Sequence, residues 1–483
     1  MKKKYFKSVI AFVLSLVLFN QQIDCFAAGK TVEAFKNNNH SGKSDCQEMI
    51  DGLNGQVSYS SSYKGVYDGI SQLDFENKSK AIKYWASHGS NSGNLWGDSK
   101  VNFNIIKDIN NLNWSGSNLE FVFLAACNQL DGAGSNPRSH YARAMLGNNA
   151  VRVICGYHAS APRAGVNYDA SIVRNFIAIA KSKESVKSAW IKANQIYGTS
   201  NYCVLTHSGN VQYSRFEGFP GQTYARPNAS SKSILRFSSA NPNGTNQPYS
   251  INGLSSKEEL KHEIQNLDIP NYSIKKKNIS LEVKPEIETV VLNIGDYLTT
   301  QNGEIGDREV NLTEESALDE AKKWLDNSFE SVKLSDFADA KVMVNPIVMA
   351  EVDLDGNVSN ETETCVAYDI SFNTLFNGIP VHGDKYCSIV DSNGVISSAI
   401  NHNEYEIVEK NMLVDSVLFD SNIEKFGNAL NEKNIDLTEL SSISLEFYDK
   451  DGDGIFNPTL IFDSSNGVQV YFDCHSGNYN IMD

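Results

Sequence analysis

Apolar positions between residues 32 and 225 fall into short runs separated by longer amphipathic stretches. TVEAF, AIKYWAS, LEFVFLAAC, AVRVICGY and YCVLTH read as strands. Short continuous apolar runs of this kind are expected when helices cover both faces of a sheet. The helices between them are clearly marked. SNPRSHYARAMLG offers Asn136 as a cap, Pro137 in the first turn and Gly147 as the stop. YDASIVRNFIAIAKS places Ile172, Val173, Phe176, Ile177 and Ala180 on one helical face. SVKSAWIKANQIYG does the same with Val186, Ala189, Trp190, Ala193 and Tyr197, and Gly198 ends it. Strands alternating with helices predict an α/β unit with a mostly parallel sheet, helices on both faces and right-handed crossovers.

Residues 226–256 are rich in Ser, Asn, Gly and Pro and read as a linker, or as a loop after the last strand. From 257 the texture changes. Helical EESALDEAKKWLDNS precedes strands joined by acidic turns, and a helical SNIEKFGNALNEK precedes SISLEFYDKDGDGIFNPTLIF and VQVYFDCHSG. A helix followed by antiparallel strands thus occurs twice, which predicts two α+β units, 257–410 and 411–483.

The N-terminus sets the compartment. MKKKYFK is basic, SVIAFVLSLVLF is apolar but too short to span a bilayer, and CFAAGK offers small residues for cleavage after Ala27 or Ala28. Residues 1–28 therefore read as a secretory signal peptide, and 29–225 as the α/β domain of a secreted, extracellular protein. Cys25 lacks the small residues that lipidation would need before it. The net charge of −16 argues against nucleic acid or an anionic membrane as the main partner. No later run is long and apolar enough for a membrane span.

Two of the strands end in reactive side chains. KYWASHG ends in His88, and LEFVFLAAC ends in Cys127. In an open α/β sheet, ligands bind beyond the carboxyl ends of the strands, so the two side chains can share a crevice. Histidine can take the thiol proton, and the thiolate is the nucleophile. Gly89 allows close backbone approach and its N–H can stabilise an oxyanion. Each residue alone has a blander reading: Cys127 as a buried apolar side chain, His88 as a strand-to-turn boundary. Their joint occurrence at two strand ends favours catalysis.

His-Gly followed by an apolar strand ending in Ala-Cys resembles the caspase-like cysteine peptidases, a group that includes legumains, clostripain, gingipains, separase and the CHAT domains. The resemblance spans about residues 32 to 215 and is extended by VICGYHASAPRAGVNYDASIVRNFIAIAKSKESVKSAWIKANQI, which looks like a CHAT-type segment. It implies a caspase-like sheet, His88 as general base, Cys127 as nucleophile, and the Gly89 and Cys127 N–H groups as oxyanion donors. A peptide or protein would be the substrate, with no cofactor required. The sequence departs from the caspase pattern of Gln-Ala-Cys, one residue and Gly: here it is Ala125-Ala126-Cys127-Asn128-Gln129. Cleavage after aspartate is therefore not carried over. Tyr157-His158 stands where the CHAT segment often has Trp. A pocket for basic residues would need an acid, for which Asp131 and Asp169 are candidates, although each also reads as a solvated loop or cap residue. A non-catalytic binding protein of the same fold at the cell surface is the alternative function, and a different thiol acyl-transferase is a third.

Other motifs are weaker. GSNSG (89–93) is not GxSxG, and KHEIQN lacks a second histidine for a metalloprotease site. His158 and His207 also sit near strand ends, and His207 is a rival base. In DKDGDG, Asp449, Asp451 and Asp453 match the first half of a calcium loop, but Leu460 stands where its bidentate Glu belongs. An acidic turn is preferred to Ca2+ there, and DLDG (353–356) reads as a hairpin turn. NGIPVHGDKYCSIVDSNGVISS and GVQVYFDCHSGNYN resemble PepSY-type and thermolysin-propeptide-type modules. Such modules accompany secreted peptidases and can restrain them, so the C-terminal half is expected to contact the catalytic domain.

Seven cysteines follow the signal segment, an odd number. If Cys127 is free, the others can pair. Cys365 with Cys387 and Cys155 with Cys203 are the two pairings that the strand pattern suggests, although sequence does not fix connectivity.

Overall fold

The apolar runs of the first half form the middle of a parallel sheet. β1 (Lys30–Lys36), β2 (Tyr59–Gly65), β3 (Ile82–Ala86), β4 (Phe121–Ala125) and β5 (Val153–Tyr157) lie in the order β2-β1-β3-β4-β5, all parallel. The computed structural model describes residues 30–36, 43–54, 59–65, 80–87, 89, 95, 114, 118–132, 136–146, 151–159, 161–162, 169–198, 201–220, 235–240, 249–250, 256–265, 267, 269–353, 355–359, 362–408, 421, 424, 427, 440–450, 452–464 and 469–482. Residues 1–28, read as a signal peptide, and His88 lie outside that set.

Side chains alternate across β4 as the strand period requires. Phe121 and Phe123 join one core with Cys46, Met49, Val173, Phe176 and Trp190. These come from α1 (Lys43–Leu53), α3 (Asp169–Lys181) and α4 (Val186–Tyr197). Val122 and Leu124 join the opposite core with Tyr141, Ala142 and Met145 of α2 (Pro137–Leu146). Helices therefore cover both faces, as expected. The α4 boundaries follow from local chemistry. The Ser185 side chain accepts from the Ser188 N–H, and Gly198 at φ 88° returns its N–H to the last carbonyls.

The sheet does not stop at the first half. β6 (Tyr202–His207) runs antiparallel to β5, and β7 (Leu235–Ala240) pairs antiparallel with both β6 and β12 (Lys341–Val352). Residues 235–240, within the stretch read as a linker or loop, thus join the two halves through ladder hydrogen bonds. Beyond β12 come β13 (Thr364–Phe376), β14 (Ile379–Asp391), β15 (Gly394–Asn401), β11 (Tyr297–Gln301) and β10 (Val290–Ile294), all antiparallel. One face of this part is covered by α6 (Glu314–Ser328), through Ala317, Ala321 and Leu325. Its other face, through Met349, Cys387 and Ile389, shares the core that holds Trp190.

α5 (Lys257–Gln265) inserts Leu260 and Ile264 among side chains of β17 (Leu440–Tyr448), β18 (Ile455–Ser464) and β19 (Gln469–Asp473). β9 (Ser273–Asn278) pairs with β16 (Asn403–Val408) and briefly with β18. Elements on either side of residue 410 therefore share cores and ladders. Of the helical SNIEKFGNALNEK, only Ser421, Glu424 and Gly427 lie within the described residues, and these are helical.

Both suggested disulfides are corrected. All seven cysteines from Cys46 to Cys474 are free thiols. Cys387 sits opposite Ser371, six residues along β13 from Cys365. At about 3.4 Å per residue that is roughly 20 Å, against a limit near 7 Å between the Cα atoms of a bridge. Cys203 sits opposite Gly156, beside Cys155, but the two thiols enter opposite cores. Neighbouring register positions point to opposite faces, which separates them.

Buried polar contacts lock the halves together around α4. Lys192 Nζ lies 3.0 Å from Glu184 and donates to the Gly303 carbonyl at 2.5 Å. Glu304 accepts from the Ser185 N–H at 2.7 Å and from its hydroxyl at 2.6 Å. Gln195 donates to Asp369 at 2.7 Å. Burial outweighs the adjacent Lys192 charge and pushes the Glu184 carboxyl up to about 7.

A second contact joins the β12–β13 turn to the N-terminus of α2. Asn136 Nδ2 donates to the Asp355 carbonyl at 2.6 Å and Arg138 Nε to the Gly356 carbonyl at 2.8 Å. Arg143 pairs with the Asp355 carboxylate at 2.5 Å. Gly356, at φ 73°, lies so close that a Cβ there would overlap the Ser139 backbone. DLDG is thus a turn, as read, and it is also a docking element.

Candidate active site

β3 and β4 are parallel neighbours with Ala86 opposite Ala125. The chain beyond each strand therefore continues side by side. The Ser87 N–H donates to the Ala125 carbonyl at 3.3 Å. Two residues on, Gly89 presses against the nucleophile candidate. A Cβ on Gly89 would overlap the Cys127 carbonyl oxygen and lie 2.9 Å from the Cys127 nitrogen and 2.8 Å from Gln129 Nε2. Only a residue without a side chain fits there. Gly89 also forms an antiparallel bridge with Leu95.

Cys127 follows β4 at the carboxyl edge of the parallel strands and is partly exposed. Its Sγ accepts from the Ala161 N–H at 3.2 Å. Burial pushes its thiol pKa up, while the N–H groups of Ala161 and of Cys127 itself pull the other way. Asn128 takes φ 60°, a left-handed conformation that Asn tolerates better than most residues. Its N–H donates to the Ala159 carbonyl at 2.9 Å, and the Leu130 N–H donates to the Tyr157 carbonyl at 3.0 Å. The turn after Cys127 is thereby tied to the segment after β5. Gln129 completes it. This buried side chain donates from Nε2 to the Cys127 carbonyl at 3.2 Å and accepts from the Tyr141 hydroxyl at 2.8 Å.

The specificity candidates divide between the two faces. Tyr157 is buried, packs on Trp190 with ring centroids 5.7 Å apart, and donates to Asn194 at 2.9 Å. Asp169 is buried in the first turn of α3, where Oδ1 accepts from the Ala170 N–H at 2.7 Å. Its charge reaches the Tyr157 and Tyr84 phenols, whose pKa values burial and nearby carboxylates raise. Asp131 lies toward the α2 face, where its charge supports the buried Arg138 guanidinium. The sequence reading did not single out Asp45, a buried α1 carboxylate that accepts from the Tyr84 hydroxyl at 2.9 Å. Asp45 lies in the first turn of a short helix, and its partner Tyr84 is 39 residues away on β3, a pairing that no local pattern signals.

His207 is excluded as the rival base. β6 is antiparallel to β5, with Thr206 opposite Val153, so His207 lies at the amino edge of the parallel strands, away from Cys127. It is buried, its Nε2 lies 3.1 Å from the Val151 carbonyl oxygen, and burial pushes its pKa down to about 4. His158, one residue beyond β5, lies at the same sheet edge as Cys127, and its N–H donates to the Asn201 carbonyl at 3.0 Å.

At the calcium-like turn, Asp449 accepts from the N–H groups of Gly452, Asp453 and Gly454 at 2.8, 3.2 and 2.9 Å. Asp453 accepts from the Ile455 N–H at 2.9 Å, and Leu460 lies in the apolar core. These carboxylates close the hairpin between β17 and β18. Asp451 lies outside the described residues. Among the described residues, no group of three or more His, Cys, Asp or Glu side chains converges as a metal site, and no helix is long and apolar enough to cross a membrane.

A family model described as "Domain of unknown function (DUF6345)" matches residues 79–234. The matched stretch runs from just before β3 to just before β7 and contains His88, Gly89, Cys127 and Gln129. Neither the curated proteins nor the solved structures contain a match.

Proposed function

We propose that the chain is a secreted cysteine endopeptidase of caspase-like type, with His88 and Cys127 as its dyad and the C-terminal half in a regulatory or substrate-binding role. The observation that supports this reading is the packing of Gly89, the sequence neighbour of His88, against the Cys127 backbone. His88 takes the thiol proton, and the sulfur attacks the peptide carbonyl. The Gly89 and Cys127 N–H groups receive the oxyanion. The amine leaves with a proton returned by His88, and water then hydrolyses the thioester. A thiol pKa raised by burial makes the base necessary. No cofactor enters these steps. PepSY-like modules in the C-terminal half belong to the same reading.

A second reading, a non-catalytic binding protein on this scaffold, is favoured by the burial that raises the thiol pKa, a feature of an inert cysteine. Incubation of the mature chain and its C127A variant with a mixed-sequence peptide library separates the two. Cleavage by the first and none by the second supports the peptidase. Equal absence of cleavage supports the binding protein.

A further inference from the structure

We propose that Gln129 is a positioning residue for Cys127, holding the carbonyl and turn geometry that aim its N–H and sulfur. The inference rests on Cys127 being the nucleophile. Gln129 is fully buried, and both ends of its carboxamide are engaged. Nε2 donates to the Cys127 carbonyl at 3.2 Å, and Oε1 accepts from Tyr141 at 2.8 Å. Tyr141 is itself buried on α2, so the carboxamide cannot rotate without leaving a buried polar group unsatisfied. Its orientation is therefore fixed: nitrogen toward Cys127, oxygen toward α2.

What the carboxamide fixes is the peptide unit just after the nucleophile. Cys127 O, the acceptor, precedes Asn128, whose left-handed φ of 60° makes the turn. Gly89 packs on the same carbonyl and within 2.8 Å of Gln129 Nε2 for an added Cβ. The Cys127 peptide is thus clamped between the Gly89 backbone and the Gln129 side chain. A shift of that peptide carries the Cys127 Cα with it, and so moves the sulfur and the N–H on the far side of the Cα relative to a bound carbonyl; misplacement of about 1 Å can cost about a hundredfold in rate. Gln129 is fully buried, so its route to a substrate runs through Cys127.

Two electrophiles test this on the full mature chain. Iodoacetamide needs only the thiolate. A mixture of peptidyl acyloxymethyl ketones also needs a correctly addressed carbonyl. In Q129A, and in Q129E, which keeps the acceptor for Tyr141 but loses the donor to Cys127, the acyloxymethyl ketone rate at Cys127 is expected to fall at least tenfold. The iodoacetamide rate, measured below each variant's melting transition, should change far less, although the melting temperature falls as a buried hydrogen bond is lost. Y141F, which keeps the ring and its packing, should give a smaller loss of the same kind. Equal rates in wild type and both Gln129 variants would overturn the inference. So would parallel loss of both rates below the melting transition, which marks a purely structural role. If the wild-type chain gives no adduct at Cys127 with the ketones while iodoacetamide reacts, the nucleophile reading itself fails and the inference with it.

Discussion

Gly89 and Cys127 meet backbone to backbone: a Cβ on Gly89 would overlap the Cys127 carbonyl oxygen. Neither atom group is the end of a flexible side chain, so neither can yield cheaply. Gly89→Ala is expected to destabilise the chain by about 1–3 kcal/mol through overpacking and to lower labelling of Cys127 by a peptidyl electrophile at least tenfold. Differential scanning calorimetry and labelling kinetics check the two effects.

The contact between the β12–β13 turn and α2 contains one strong part and one weak part. Arg143 and Asp355 are largely exposed, so Arg143→Ala should change stability by less than about 1 kcal/mol. Arg138 is buried and donates to the Gly356 carbonyl, so Arg138→Ala should cost about 1–3 kcal/mol. Urea titrations of both variants measure the difference. Equal effects would mean that the guanidinium of Arg138 does not anchor the turn.

Two buried carboxyls lower stability as pH rises from about 4.5 through about 7, and buried His207, pushed down to about 4, offsets part of that fall below about 6.5. The buried Glu184 carboxyl is raised to about 7 and Asp369 to about 6, in each case chiefly by desolvation. In that window the folded chain holds protons that the unfolded chain has lost, so the contribution is full at low pH and is lost through the folded pKa values. Glu184→Gln should flatten the upper part of the profile. Melting temperatures between pH 4.5 and 8 test it, and a wild-type profile that rises across this range would contradict it.

Free thiols provide a further check. Alkylation in denaturant without prior reduction should modify all seven cysteines from Cys46 to Cys474. In the native chain Cys46, Cys155, Cys203, Cys387 and Cys474 are buried and should react slowly. A mass shift on reduction before alkylation would reveal a disulfide and contradict the free thiols of the structure.

The parts of the fold visible in the sequence are those where burial on both faces demands apolar residues. FVFLA and VICGY are wholly buried and stand out as runs. β2, YSSSYKG, pairs on one side with β1 and carries no such run, so periodicity did not find it. α1 was also missed, although Cys46, Met49, Ile50 and Leu53 recur at helical spacing in a short stretch. β7 lies within a Ser- and Asn-rich stretch whose composition signals a linker, while its backbone completes the ladder between β6 and β12.

At the site, the strand-end positions of Gly89 and Cys127 were readable because parallel neighbours in register carry their next residues to one edge. The Gln129–Tyr141 contact was not, because it joins a turn to a helix face through a side chain whose partner no local pattern names. The paired cysteines were misread for the reverse reason: strand membership was visible, but register and facing were not.

The most direct measurement is the site of covalent modification. The mature chain is treated with the peptidyl acyloxymethyl ketone mixture and the adduct is mapped by mass spectrometry in wild type, H88A, H158A and C127A. A peptidase with this dyad predicts a single adduct on Cys127 in wild type and H158A, with labelling lost in C127A and strongly slowed in H88A. Labelling that is absent from wild type, or that persists unchanged in H88A, would contradict it.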